Sequence, residues 1–360
     1  MQTKSLSMKR ALSAALFILL LSVAGMKNAL AQNQVATLQH NDTITGVFYG
    51  QNAFVSAHNA AVNGDIITLS SGTFNNCDIT KSVTIRGAGC VYDSITHVAP
   101  TIIPGTFCLK KDNISFEGIW FTGFVYSFQH AWGWVVAETS NNASFIKCNI
   151  NKTGYSNVDS ECYGFVRNWQ FVNCIIKDFV SYRAINNSPC FTGLSVINSV
   201  VRFTVYDQTD IYNPTTTNNS IVLIENLQIA KNIIAHNSIF VTDTLNMVSN
   251  CTFLNCIGIK TGETSLFEGQ TTQNVMEVNS YSEVFETFDG TISYENIYQL
   301  KNDIATSFLG HDGTEVGIYG GIIPYKTRPP YMILKNCNVA GQTDENKKLN
   351  VEMELIGPED

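Results

Sequence analysis

The sequence predicts an all-β solenoid of short, stacked parallel strands. The first reason is the rhythm of "GDIITLSSGTFNNCDITKSVTIRGAG" (64–89), where apolar residues come in bursts too short for an amphipathic helix. The second is a six-residue pattern that recurs along most of the chain. The third is a charged fraction of only 14%, which leaves Asn, Thr, Ser and Gln to supply the polar surface.

The recurring pattern is apolar at both ends, with an Asn-like residue and a small residue in the middle. Its copies are "FEGIWF" (116–121), "FIKCNI" (145–150), "FVNCII" (171–176), "VINSVV" (196–201), "IENLQI" (224–229), "VSNCTF" (248–253) and "EVNSYS" (277–282). Their fourth residues, taken as register marks, are Ile119, Cys148, Cys174, Ser199, Leu227, Cys251 and Ser280. A period in the twenties without helical character predicts one solenoid coil per copy.

Stacked coils would place Cys148 near Cys174 and Asn173 near Asn198. Asn tolerates the left-handed backbone region, so we expect these residues at turns, bonded to one another along the axis. The cysteines share their position with Ser199, which indicates buried packing residues rather than disulfides. A local bridge between Cys251 and Cys256 stays open, and no Cys/His cluster has zinc spacing.

The first 31 residues predict a secretory signal peptide. Lys4, Lys9 and Arg10 precede the apolar run 11–25, and "ALA" (29–31) supplies the small residues of a cleavage site. We expect cleavage near Ala31, no membrane span in the mature chain, and a location that is secreted, periplasmic or at the cell surface. The net charge of −8 argues against a nucleic-acid partner.

The stretch "FVSAHNAAVNGDIITLSSGTFNNCDITKSVTIRGAG" (54–89) resembles the amino-terminal entry of pectin-lyase-like right-handed parallel β-helix proteins. The matching motifs are the Gly64–Asp65 turn, "GTF" at 72–74 and "TIRGAG" at 84–89. The resemblance implies a right-handed parallel β-helix of eight or nine coils. It is specific for the fold and not for any one activity.

The same resemblance implies a short helix, roughly Asn52 to Val62, that covers the open end of the first coil. Phe54, Ala57 and Ala61 would form its inner face.

At the other end, "GHDGTEVGIYGGIIPYK" (310–326) and "KKLNVEMELIG" resemble a carboxy-terminal segment of secreted β-helix proteins from Bacteroidetes-type bacteria. This implies a small β-rich cap. The expected organisation is a signal peptide (1–31), a linker (32–50), the β-helix (51–300) and a carboxy-terminal β module (301–360).

Polymer-cleaving proteins of this fold need groups that the sequence does not display. Lyases need a base and Ca²⁺ held by clustered carboxylates, and neither such a cluster nor an "RxPxxR" signature is present. Hydrolases need paired carboxylates, and that motif is also missing. We therefore expect no catalysis, no metal and no cofactor. A lyase would use Lys177 or Arg183 as the base, Asp207 or Asp210 as a helper, and Ca²⁺.

Two rows of side chains indicate a binding surface. Lys152, Lys177, Arg202 and Lys231 follow the marks by three or four positions and would form a basic ridge suited to a polyanion. The same spacing would also arise if these side chains only solvated a turn. Tyr155, Tyr182 and Tyr206 follow by seven or eight positions and would stack on sugar rings, unless they form an internal aromatic stack.

These observations predict a secreted, monomeric β-helix protein that binds extracellular polysaccharide, anionic polymers included, without cleaving it. One alternative is a lyase or glycoside hydrolase acting on a pectin-like polymer. The other is a structural or adhesin-like surface solenoid without a saccharide site.

Overall fold

The chain winds into a right-handed parallel β-helix, the fold class that the sequence predicts. The structure is a computed structural model that describes residues 34–127, 140–155, 166–182, 191–206, 215–225, 230–242, 248–260, 265–327, 332–343 and 349–357.

The helices and strands are numbered in chain order. The helices are α1 (Ala53–Ala60), α2 (Tyr281–Val284) and α3 (Asn302–Ser307). The strands are β1 (Val35–His40), β2 (Thr43–Tyr49), β3 (Ile66–Leu69), β4 (Gly72–Thr73), β5 (Thr84–Arg86), β6 (Thr101–Ile103), β7 (Phe107–Leu109), β8 (Ser115–Glu117), β9 (Trp120–Ser127), β10 (Ser144–Ile146), β11 (Asn149–Tyr155), β12 (Val166–Arg167), β13 (Gln170–Val172), β14 (Ile175–Tyr182), β15 (Phe191–Thr192), β16 (Ser195–Ile197), β17 (Val200–Tyr206), β18 (Thr215–Asn218), β19 (Ile221–Glu225), β20 (Ala230–Lys231), β21 (Ile233–His236), β22 (Ile239–Thr242), β23 (Val248–Ser249), β24 (Thr252–Leu254), β25 (Ile257–Lys260), β26 (Thr271–Gln273), β27 (Met276–Val278), β28 (Ile333–Thr343) and β29 (Leu349–Ile356). Within the ranges given above, no helix is long and apolar enough to cross a membrane.

Two long sheets form the walls of the solenoid. The first runs in the order β2-β1-β3-β5-β8-β10-β13-β16-β18-β21-β24-β26, and the second in the order β27-β25-β22-β19-β17-β14-β11-β9-β6-β4, with β7 beside β9. Every pair from β3 onward in these sheets is parallel and joins one coil to the next. The described strands make ten coils, against the eight or nine expected.

The interior is filled by side chains that repeat from coil to coil. Phe116, Phe145 and Phe171 stand on adjacent first-sheet strands with ring centroids 5.3 and 5.0 Å apart, and all three are fully buried. Strand alternation sends one residue of each short strand inward, so a three-residue strand such as "SFI" needs only one large apolar side chain.

A second interior row consists of small residues at the start of each second-sheet strand. The backbone N–H groups of Cys174, Ser199 and Ser220 donate to the side-chain hydroxyls of the next coil at 2.9, 3.3 and 3.2 Å. These bonds join residues 25, 21 and 18 positions apart, so the coils shorten along the chain. The register marks Leu227, Cys251 and Ser280 are therefore wrong, and the equivalent residues are Ser220, Ser238 and Cys256.

The cysteines behave as packing residues. None of the seven whose side chains the structure describes is in a disulfide, and six of them are buried. Cys148 and Cys174 lie close enough on neighbouring coils for their thiols to interact, as the repeat predicts. The local bridge between Cys251 and Cys256 does not form.

Asparagines in the left-handed region form both corners of the first sheet. At the corner leading into the second sheet, φ lies between 45° and 55° at Asn173, Asn198, Asn219, Asn237 and Asn255. At the opposite corner, Asn168 donates to Asn142 at 3.1 Å and Asn142 donates to Asn113 at 3.0 Å. The asparagines thus lie at turns as predicted, and amide bonds along the axis form at this opposite corner. Asn173 and Asn198 donate to a later segment of the chain instead of to each other.

The amino-terminal end is closed by α1 and a hairpin. Phe54, Ala57 and Ala61 are buried, as the resemblance implies. Residues 35–49, expected to be part of a linker, instead form β1 and β2, which extend the first sheet in antiparallel fashion beside β3.

After β27 the chain turns back along the outside of the second sheet. We call residues 279–327 the return segment. Asn255 donates to the carbonyl oxygen of Leu309, Asn198 to those of Ile318 and Gly320, and Asn173 to that of Ile323. The segment therefore runs opposite to the growth of the solenoid, past one corner asparagine after another.

The return segment creates a second hydrophobic core on the outer face of the second sheet. Ile221, Ile239 and Ile257 on successive coils are buried there against Phe285 and Ile318. The β28–β29 hairpin then brings Ile356 against Ala88 and Val98, near the first coils. Residues 301–327, expected within an end cap, thus lie on the flank of the solenoid.

The buried corner at Asn198 predicts where the return segment is attached most firmly. Asn198→Gly keeps the positive φ but removes bonds of 2.9 and 2.7 Å to buried carbonyl groups. We expect a loss of roughly 2 kcal/mol in unfolding free energy, with faster hydrogen exchange in residues 316–322. Asn142→Gly, at an exposed corner with the same backbone conformation, is the matched control. Equal effects of the two variants would contradict the assignment.

His58 makes the amino-terminal cap sensitive to acid. Its Nε2 accepts a hydrogen bond from the Thr80 N–H at 3.3 Å, which requires the neutral ring. Burial, helped by the nearby Lys81 ammonium, lowers the pKa of His58 to about 4.

Because the unfolded chain binds this proton at pH 6.5 and the folded chain only near pH 4, the His58 contribution is fully present above pH 6.5. It is lost as the pH falls towards 4. We expect His58→Gln to remove roughly 3 kcal/mol of the stability difference between pH 7 and pH 4, measured by urea unfolding. His97→Gln, on an exposed loop, is the control. An unchanged pH dependence in His58→Gln would contradict this.

Candidate ligand-binding face

Four second-sheet strands in the middle of the solenoid are longer than the later ones. β9, β11, β14 and β17 have 8, 7, 8 and 7 residues, whereas β19, β22 and β25 have 5, 4 and 4. Their carboxyl ends reach the same edge of the sheet. Residues 128–139, 156–165, 183–190 and 207–214, which follow these strands, lie outside the described residues.

Bulges redirect the outward side chains of these strands. In β14, Lys177 and Asp178 together lie opposite the single residue Arg202 of β17. In β9, the extra residue falls at Thr122–Gly123, where a Cβ on Gly123 would lie 1.9 Å from the carbonyl oxygen of Gly105. Bulges bend a strand and re-aim its side chains, so they decide what this edge displays.

Phe124, Tyr126, Lys152, Lys177 and Asp178 form a half-buried strip across three coils, which we call the rim. The Phe124 and Tyr126 rings lie 5.3 Å apart, and the Lys152 Nζ lies 5.1 Å from the Phe124 ring centre. Burial raises the pKa of Tyr126, and nearby negative groups that include the Asp78 carboxylate add to the rise.

The basic ridge expected from the sequence is present as a spatial row but is already engaged. The Lys152 Nζ lies 3.8 Å from the Asp178 carboxylate. The Lys177 Nζ lies 4.3 Å from the centre of the Tyr294 ring on the return segment. Arg202 donates to the Gly290 carbonyl at 3.3 Å. Lys231 lies in β20, and its side chain is outside the described set.

Tyr294 closes one side of the rim. Its ring packs edge-on against Trp120 with centroids 5.2 Å apart, under the Lys177 ammonium. Burial raises the pKa of Tyr294, and the neighbouring Trp120 partly offsets the rise. The cation–π contact is therefore made to a neutral phenol ring.

One more charged pair continues the strip towards the first coils. Asp78 lies 2.8 Å from the Lys110 ammonium and accepts the Cys108 N–H at 2.9 Å. Partial burial alone would raise the pKa of Asp78, but these two donors lower it overall. Since Cys108 pairs with Tyr126, this pair lies one strand away from the rim.

The tyrosine row is brought together only in part. Tyr182 pairs directly with Tyr206 on the next coil. Tyr155 pairs with Ser127 on the preceding coil. On the following coil, Gly154 pairs with Val180, so Tyr155 is one residue out of register with Tyr182. The side chains of all three tyrosines, and the whole of Arg183, Asp207 and Asp210, lie outside the described set.

The arrangement offers aromatic faces and paired charges rather than a pair of carboxylates. In the part of the chain with described coordinates, no group of three or more His, Cys, Asp or Glu side chains could hold a metal ion. The calcium expected of a lyase stays a prediction tied to that alternative.

Sequence reasoning missed Phe124, Tyr126 and Tyr294. The first two could have been found, because "FTGFVYS" (121–127) places aromatic residues two apart after a Gly. Tyr294 carries no local signal, since it reaches the rim only through the reversal of the chain.

No protein-family model matches the chain, and no curated protein is significantly similar to it.

The bulge at Gly123 gives a direct test of how the rim is positioned. Gly123→Ala would push a methyl group into the Gly105 carbonyl, so the strand must shift. We expect a loss of about 1 to 3 kcal/mol in unfolding free energy. Gly357→Ala, where the added Cβ meets no atom within 4 Å, is the control. A Gly123→Ala protein as stable as the control would show that the bulge is not held there.

Proposed function

We propose that the chain is an extracytoplasmic β-helix protein that holds an extended polysaccharide along the rim without cleaving it. The observation that carries this proposal is the half-buried Phe124–Tyr126 pair beside Lys152 and Asp178. Aromatic faces suit the apolar faces of sugar rings, and adjacent charged groups suit their hydroxyls.

The shape of the surface supports an extended ligand. Neighbouring coils lie about 4.8 Å apart, so the strip from Lys110 to Arg202 covers about 20 Å over five strands. It is supported by hydrogen-bonded sheet and needs little ordering when a ligand binds. Tyr182 and Tyr206, paired in register at the same edge, would lengthen the surface.

The amino-terminal motifs that resemble pectin-lyase-like proteins support membership of that superfamily, which belongs to this proposal. The signal sequence supports export with cleavage near Ala31, to the periplasm, the cell surface or the medium. The mature protein would act as a monomer with polysaccharide as its partner and without a cofactor.

The contacts of the lysines favour binding over catalysis. A base must be free to accept a proton, whereas Lys152 faces Asp178 and Lys177 lies over Tyr294. A lyase that used Arg183 with Asp207 or Asp210 and Ca²⁺ is the competing outcome that the experiment must detect.

The test uses residues 32–360 on a polysaccharide array, with a product assay for unsaturated uronate in the presence and absence of Ca²⁺. We expect binding without products. Tyr126→Ala should weaken the strongest interaction about tenfold, or about 1.4 kcal/mol. Tyr49→Ala, at an exposed aromatic of the amino-terminal hairpin, should leave it unchanged.

Three other results of this experiment would contradict the proposal. Products that require Arg183 would establish a lyase and overturn the proposal. No binding to any polymer would favour a structural solenoid. Binding that Tyr126→Ala and Tyr49→Ala weaken equally would place the site away from the rim.

A further inference from the structure

We infer that the rim selects uncharged glycans and that Asp178 is the residue that keeps anionic polymers away. This inference rests on the proposed function, because it concerns the ligand of the same site.

The first argument is that the three ridge cations with described side chains already make contacts of their own. Lys152 lies 3.8 Å from Asp178, and Lys177 lies 4.3 Å from the Tyr294 ring centre. Arg202 donates to a backbone carbonyl at Gly290. A polymer of uronates would therefore have to break these contacts before it gained its own.

The second argument is the position of Asp178 within the ridge. The β14 bulge places Asp178 and Lys177 together opposite Arg202, while Asp178 contacts Lys152 on the preceding coil. The carboxylate thus lies between cations of three successive coils. Its side chain is 31% exposed, so a bound uronate would meet a negative charge in the middle of the row.

The third argument is that the alternation of charge continues beyond the rim. Lys110 is paired with Asp78 at 2.8 Å, so the strip carries both signs at its Lys110 end, as it does at Lys152 and Asp178. The whole chain has a net charge of −8, which disfavours the approach of a polyanion. Neutral hydroxyl groups can donate to the carboxylates and accept from the ammonium groups without breaking either pair.

The experiment compares polymers that differ only in charge. The array carries polygalacturonate beside its full methyl ester, and carboxymethyl cellulose beside hydroxyethyl cellulose, together with other neutral and anionic polysaccharides. For the wild-type protein we expect the strongest binder to be neutral, with an affinity that changes less than twofold between 20 and 300 mM salt, roughly as expected without ion pairing.

Asp178→Asn should release Lys152 while preserving the shape of the side chain. We expect it to raise the affinity for the anionic member of a matched pair about tenfold, and to make that binding weaken as salt is added. Glu117→Gln is the matched control. It removes the same charge from a pair with Arg86, at 2.9 Å, on the outer face of the first sheet, and should bind as wild type does.

The outcomes separate this inference from the proposed function. A wild-type protein whose strongest binder is anionic and salt-sensitive overturns the inference while leaving polysaccharide binding intact. Equal gains in Asp178→Asn and Glu117→Gln would overturn the role of Asp178. No binding to any polymer would overturn both. The wild-type salt dependence keeps the inference testable even if Asp178→Asn fails to fold.

Discussion

From β8 onward, each coil of this protein turns from its first-sheet strand to its second-sheet strand through a residue in the left-handed backbone region. In the last six of these coils that residue is asparagine. Only glycine and short polar residues adopt this conformation at low cost. Asparagine has the additional property that its amide can donate and accept. The corner therefore produces a row of amides along the flank, and the return segment binds to that row through its backbone.

This docking decides which parts of the outer surface stay available. The branched apolar residues of the second sheet in the later coils, such as Leu223, Val241 and Ile259, are covered by the return segment and belong to a second core. In the middle coils the equivalent surface carries Lys152, Lys177 and Arg202, and the segment touches two of these through Tyr294 and Gly290. The candidate site is thus the border where the apolar cover ends and the polar surface begins.

The fold was largely predictable from the sequence, because its signals are local. The motifs of residues 54–89, the inner face of α1 and the small-residue row all depend on short patterns. The later coils were misread because a period in the twenties does not hold there: these coils have 18 to 21 residues. The sequences "VNCI", "INSV", "NNSI", "HNSI" and "LNCI", which end at 175, 200, 221, 239 and 257, mark the true corners and would have shown the shortening to 18 residues.

The candidate site was less predictable, because it depends on bulges and on contacts distant in sequence. A one-residue bulge in β14 decides that Asp178 and Lys177 share the place opposite Arg202. The Lys177–Tyr294 contact joins the middle of the solenoid to the return segment. Neither the bulge nor this contact produces a repeating pattern in the sequence. The sequence therefore indicated that Lys152, Lys177 and Arg202 follow one another on successive coils, and could not reveal that each of these three already makes a contact.

Coil length links these observations. Coils of 25 to 29 residues make up the middle of the chain, where second-sheet strands are long and long excursions follow them. Coils of 18 to 21 residues make up the later part, where strands are short and the outer face is apolar. A short coil leaves few residues outside its strands. Its outer face therefore suits coverage by another segment of the chain. A long coil can extend its strand into a displayed edge, which is why the ligand-binding face is expected there and not along the whole rod.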